Sequence, residues 1–157
     1  LGADLALAQK IAEAAAEGEV CAVANDNDPS QVVISGAKGA LVRAVEMASD
    51  MGAKRAVLLT VSAPFHCPLM QPAAEAMADA LSYVVVAAPA VPLYANFTAA
   101  PTSDPDAIRN QLVEQVTGMV RWRESVAAMA AAGVTQFVEV GGKVLGPMVK
   151  RIAPDAT

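Results

Sequence analysis

The sequence holds one histidine and two cysteines, and only 4% of its 157 residues are aromatic and 17% charged. Each scarcity excludes something. Cys21 and Cys67 lack the close pairing of a zinc site, and two thiols do not make the disulfide framework of a small secreted domain. With 11 Lys and Arg against 16 Asp and Glu, a net charge of -5 and no basic cluster, the chain does not read as a nucleic-acid binder. The longest apolar stretch, Tyr83 to Ala95, is too short to span a bilayer and is interrupted by Pro89 and Pro92. No basic segment leads into an apolar one at the start, so no signal peptide is expected, and a soluble cytoplasmic protein fits best. No G-x-S-x-G nucleophile elbow occurs, because Ser30, Ser35, Ser49, Ser62, Ser82, Ser103 and Ser125 all stand in other contexts.

What is present is apolar and alanine-rich. The 55% hydrophobic content is enough for one ordinary core, or a domain with a small subdomain. Residues 4–17 place apolar side chains at helical spacing, with Asp4 as cap and Gly18 as stop. Strands are predicted at 19–25 and 31–36, joined by a tight turn over D-N-D-P-S. A helix is predicted over 37–52, ending at Gly52, and a strand over 53–62. The order α-β-β-α-β suggests a ferredoxin-like unit whose first strand would precede Leu1. The chain also starts without methionine, close to the beginning of a helical pattern. Beyond residue 60 the pattern predicts a helix over 68–82 with Pro68 in its first turn and a strand over 90–96. A helix over 104–118 follows, with Asp104 as cap and Pro105 at its first position. A helix over 121–133, a strand over 135–141 and a short helix or turn over 142–152 complete an α/β layer.

His66 is the only side chain whose ordinary pKa lies near neutrality, so any imidazole general base must be this residue. It follows a predicted strand and precedes a helix, where α/β proteins place site residues. The alternative is a capping or hydrogen-bonded histidine without catalytic duty. Cys67 is adjacent, but neighbouring side chains at a helix start diverge, so Cys67 reads as packing and not as half of a dyad. Asp26, Asn27 and Asp28 lack the spacing, glycine and final glutamate of a calcium loop and read as a hairpin turn. E-V-G-G-K-V-L is not a phosphate-binding loop, and I-S-G-A-K-G is at best a weak anion site.

Two segments carry a resemblance. V-S-A-P-F-H-C-P-L-M (Val61 to Met70) and E-V-G-G-K-V-L-G-P-M-V-K-R-I (Glu139 to Ile152) closely resemble segments of the malonyl-CoA:acyl carrier protein transacylase family. The likeness continues colinearly through V-A-N-D-N-D-P-S-Q-V-V-I-S-G and D-A-I-R-N-Q-L-V-E-Q-V, so it covers nearly the whole chain. The resemblance implies ping-pong malonyl transfer from malonyl-CoA to acyl carrier protein in fatty-acid biosynthesis, with no cofactor. His66 would take the proton of a serine in a G-H-S-x-G elbow and later activate the carrier thiol. Its far ring nitrogen would be held by the main-chain carbonyl of Gln115. Phe65, next to the histidine, would line the acyl pocket and crowd a branched 2-methyl group, a preference worth about 1–3 kcal/mol. Asn25, in N-x-N-x-P-x-Q, could lie near that pocket.

The same resemblance puts the nucleophilic serine, the arginine that pairs with the malonyl carboxylate and the G-Q-G oxyanion segment before Leu1. Residues 1–60 would then be an incomplete ferredoxin-like small subdomain, and 61–157 the C-terminal part of a large α/β acyltransferase subdomain. Such a chain should be inactive alone and should expose apolar surface. E-V-G-G-K-V-L also carries one residue fewer between its glycines than many members. The alternatives are a non-catalytic carrier-protein-binding module, or the acyltransferase domain of a polyketide or multifunctional fatty-acid synthase.

Overall fold

A computed structural model describes all residues from Leu1 to Thr157. Its first helix, α1 (Leu5–Ala16), begins where Asp4 accepts the Leu7 N–H at 2.8 Å. It ends through left-handed backbone at Glu17 and Gly18. Strands β1 (Cys21–Asp28) and β2 (Gln31–Gly36) form an antiparallel hairpin, paired from Cys21 with Gly36 to Asp28 with Gln31 around Pro29–Ser30. A β-bulge lies between Val23 and Asn25. Gly36 is dictated by space, since a Cβ there would sit 2.1 Å from the Val20 carbonyl oxygen.

Helix α2 (Lys38–Ala48) packs on α1, and the two share a core of Ala3, Ile11, Ala15, Ala44, Ala48 and Ala53. Alanine at the contact lets the two helices approach closely. Arg43 of α2 then closes the C-terminal end of α1, donating to the Ala15 and Ala16 carbonyls at 2.8 and 3.0 Å. A cation at that end also suits the helix dipole. The α-β-β-α order of the ferredoxin-like expectation is therefore present, in a chain of mixed α/β class.

The second part begins with a 3-10 turn (Pro68–Met70) that runs into α3 (Gln71–Ser82). Leu93–Tyr94 (β3) pairs with Pro101–Thr102 (β4) in a short ladder. Helix α4 (Pro105–Thr117) starts at Asp104, which accepts the Ala107 N–H at 3.0 Å, with Pro105 in the first turn. Helices α5 (Trp122–Ala131) and α6 (Leu145–Ile152) enclose a second core of Val126, Val149, Ala153 and Ala156. No helix is long and apolar enough to cross a membrane.

Two predicted strands are not laddered and a third is laddered only in part. Residues 53–62 and 135–141 run without strand pairing, and of 90–96 only Leu93 and Tyr94 pair. A strand exists only with a neighbour, and the two unpaired segments have only the chain ends beside them: Leu1 bonds the main chain of Lys54 and Arg55, and Thr157 that of Thr135 and Phe137. Their apolar side chains stay open: Leu59 is 61% exposed, Val61 63% and Val140 91%. Continuous apolar runs of this kind suit strands covered on both faces, and here only Ala53, Ala56 and Phe137 reach a core.

The predicted D-N-D-P-S turn is also corrected. Strand β1 continues through Asp28, and its period-two alternation turns Ala24, Asp26 and Asp28 onto the buried face. Both carboxylates are paired across the molecule. Arg123 of α5 donates to Asp26, with Nε at 3.0 and 2.9 Å from its two oxygens and a guanidinium nitrogen 2.7 Å from Oδ2. Arg151 of α6 donates to Asp28 at 2.9 and 2.7 Å. Burial alone would raise the Asp28 pKa. Hydrogen bonds from Arg151, the Ser30 N–H and the Ser30 hydroxyl outweigh it and hold the carboxyl below its ordinary 3.8. Main-chain bonds between β1 and Val120, Asp26 N–H to Val120 O at 2.9 Å and Val120 N–H to Ala24 O at 2.8 Å, complete the tie.

Candidate active site

His66 stands just before the 3-10 turn, at φ 58, in left-handed backbone that a residue other than glycine seldom occupies. Such conformations persist where the surroundings enforce them, and they cluster at functional sites. The surroundings here are specific. Cys67 is fully buried and its thiol donates to the Pro64 carbonyl at 3.2 Å, which anchors the next residue and agrees with its reading as packing. The 3-10 turn and α3 both lie against α4.

That packing brings His66 to the C-terminal end of α4, where Nδ1 is 2.9 Å from the carbonyl oxygen of Gln115. The last four carbonyls of a helix have no partner within it, so this oxygen is free to accept from elsewhere. A carbonyl only accepts, so Nδ1 must carry the proton and Nε2 is left with its lone pair. The Gln115 side chain is held in turn, accepting from Asn96 Nδ2 at 3.3 Å. His66 and Gln115, both named from sequence, are thus together.

Phe65 and Asn25 are placed less decisively. Phe65 is 47% exposed beside His66. Asn25 lies on β1 opposite Val120, and no hydrogen bond joins it to His66 or Gln115. No hydroxyl or thiol of the chain bonds to Nε2. No three His, Cys, Asp or Glu side chains converge as a metal site would require. A cavity of about 240 Å³ beside α6, lined by Trp122, Phe137, Glu139, Leu145 and Lys150, includes none of the site residues.

The shortened E-V-G-G-K-V-L loop nevertheless closes. Glu139 accepts N–H groups from Val144 and Leu145 at 2.8 and 3.1 Å and from Gly146 at 3.0 Å, capping the start of α6. Hydrogen bonds from Leu145, Val144 and Gly146 hold its carboxyl below the usual glutamate range.

Residues 2–144 match the model of the acyl transferase domain. The chain belongs to this family. It is 46% identical to the malonyl CoA-acyl carrier protein transacylase of Escherichia coli (strain K12), over 100% of the chain and 51% of that protein. Among solved structures, the acyl-carrier-protein S-malonyltransferase from Bartonella henselae superposes with a TM-score of 0.95 at 52% identity, covering 99% of the chain and 50% of its own. A malonyl-transacylase in complex with its type II PKS acyl-carrier protein superposes with a TM-score of 0.95 at 38% identity, over 99% of the chain and 51% of its own. The chain therefore spans about half the length of the relatives it matches.

The arrangement was only partly open to sequence reasoning. Asn96, which holds the Gln115 side chain, has no motif of its own. It lies in the two-residue ladder region, where neither spacing nor charge marks it.

Proposed function

We propose that this chain carries the general base of a cytoplasmic malonyl-CoA:acyl carrier protein transacylase of fatty-acid synthesis. The observation that supports it most is the His66 Nδ1–H bond to the Gln115 carbonyl, which leaves Nε2 free to take a proton. The nucleophile would be the serine of a G-H-S-x-G segment outside these 157 residues. As the serine Oγ attacks the malonyl thioester carbonyl, Nε2 accepts its proton. The tetrahedral intermediate then collapses, the C–S bond breaks and the imidazolium returns the proton to the departing coenzyme A thiolate. In the second half-reaction Nε2 takes the proton of the carrier thiol, which attacks the malonyl-serine ester. The C–O bond breaks and the proton passes to the serine. No cofactor is needed. An imidazole oriented by a neutral acceptor keeps one tautomer through both halves.

In this reading Phe65 forms one wall of the acyl pocket, and Asn25 lies near it. Residues 1–60 act as the small ferredoxin-like subdomain and 61–157 as part of the large one. The acyl carrier protein is the partner, a choice supported by the names of the relatives and by the carrier complex of one of them. The test joins this chain to the N-terminal half of the Bartonella henselae relative and follows malonyl transfer to carrier protein. His66→Ala should slow transfer by about 10²–10⁴-fold, the usual worth of a general base. An unchanged rate would remove His66 from the mechanism.

A further inference from the structure

The acceptor that orients His66 is a main-chain carbonyl, so its aim depends on the path of the chain at the end of α4. Gly118 closes that helix, donating its N–H to the Glu114 carbonyl at 2.9 Å. Its backbone, φ -91 and ψ 154, is open to any residue, so conformation does not call for glycine here. Space does. A Cβ at Gly118 would lie 2.5 and 2.7 Å from Cδ2 and Cε2 of Phe97, and 2.9 Å from the Glu114 carbonyl oxygen. The Phe97 ring therefore rests directly on the turn.

The neighbours of Phe97 grip the same turn from both sides. Asn96 donates its side-chain amide to Gln115 Oε1 at 3.3 Å, and its own carbonyl accepts the Arg121 N–H at 3.0 Å. The Arg121 guanidinium reaches the Thr98 carbonyl at 3.4 Å. Residues 96–98 are thus bonded before and after Gly118, with an aromatic ring filling the space between. We infer that the Asn96–Phe97 corner, seated on Gly118, is the positioning device that aims the Gln115 carbonyl at His66 Nδ1. The inference deepens the assignment of His66 as the base and rests on it for its catalytic meaning, but not for its geometry. Phe97 and Gly118 touch no reacting atom. They act through the carbonyl, which decides which ring nitrogen keeps the proton.

The readout is the ratio of the Nδ1–H to the Nε2–H form of neutral His66, measured by long-range ¹H–¹⁵N NMR. The only histidine of the chain gives the only imidazole signals. Gly118→Ala should displace the turn and lower the ratio about fivefold or more, the worth of one ordinary hydrogen bond. Phe97→Ala in the same chain opens room for the new methyl and should restore the ratio to within about twofold of the parent. A folded Gly118→Ala chain with an unchanged ratio overturns the inference, and so does a shifted ratio that Phe97→Ala fails to restore. Should Gly118→Ala not fold, Asn96→Ala carries the test: loss of the amide that holds the Gln115 side chain must lower the ratio, and an unchanged ratio overturns the inference. In the completed enzyme Gly118→Ala should reduce kcat and leave KM unchanged. A shifted tautomer ratio with an unchanged rate would retain the positioning device and reject His66 as the base.

Discussion

Arg123→Ala should destabilise the protein mainly through the charge it leaves behind. Asp26 is 1% exposed and receives three donor contacts from Arg123, all at 3.0 Å or less. Removing one partner of a buried pair costs about 3–5 kcal/mol, because the other charge is then buried without compensation. The Arg123 side chain is itself 34% exposed, and water entering its place can partly solvate the carboxylate, so about 2–3 kcal/mol is expected. At a urea slope of about 2 kcal/mol per molar, the unfolding midpoint should fall by roughly 1–1.5 M. The mechanism makes a sharper demand on the double variant. Asp26→Ala/Arg123→Ala removes both charges and should be more stable than Arg123→Ala alone, a non-additivity expected only of groups in direct contact. The assay is urea unfolding of the four chains of the cycle, followed by the fluorescence of the single tryptophan, Trp122. Two single losses that simply add, or an Arg123→Ala shift within the error of the midpoint, would refute the reasoning.

Further outcomes follow from the same structure. Gly36→Ala should cost about 3 kcal/mol in a urea titration, because the nearest atom to its Cβ is main-chain oxygen at 2.1 Å, which cannot rotate away. Asp28 has a folded pKa below 3.8, so its stabilising effect is complete above that value and is lost as pH falls below it towards the depressed folded pKa. Urea midpoints measured across pH 2–5 should fall in that acid range, and more shallowly in an Arg151→Ala chain. The chain alone should form no covalent malonyl adduct with malonyl-CoA by intact mass. A stoichiometric adduct would require a nucleophile within the chain, with Cys67 the first to examine.

Local signals made the helices legible. Asp4 and Asp104 mark starts through carboxylates that bond within three residues, Pro105 through its fixed φ, and the structure uses both aspartates as caps. The unladdered strands were misread because residues 53–62 and 135–141 have strand composition but no strand beside them, only single bonded residues at the chain ends. Composition reports what a segment suits, and pairing needs a second segment. Asp26 and Asp28 were misread for the same kind of reason, since their partners Arg123 and Arg151 lie 97 and 123 residues away. Nothing near either aspartate announces them.

The site divides along the same line. Being the only histidine made His66 conspicuous, and the V-S-x-P-x-H-C-x-L-M segment gave it a role through resemblance. A main-chain acceptor such as the Gln115 carbonyl leaves no trace in residue type, so only the resemblance pointed to it. Gly118 and Phe97 escaped notice because a glycine selected by a neighbouring ring resembles any other glycine at a helix end.

The Gln115 carbonyl faces Nδ1 of His66 at 2.9 Å, and the proposed reaction requires that it hold the proton there and leave Nε2 bare. Long-range ¹H–¹⁵N correlation on the unmodified chain, at a pH where the ring is neutral, reads this directly. A protonated Nδ1 and a bare Nε2 are expected in nearly all molecules. A ring protonated on Nε2, or an even mixture of the two forms, would contradict it.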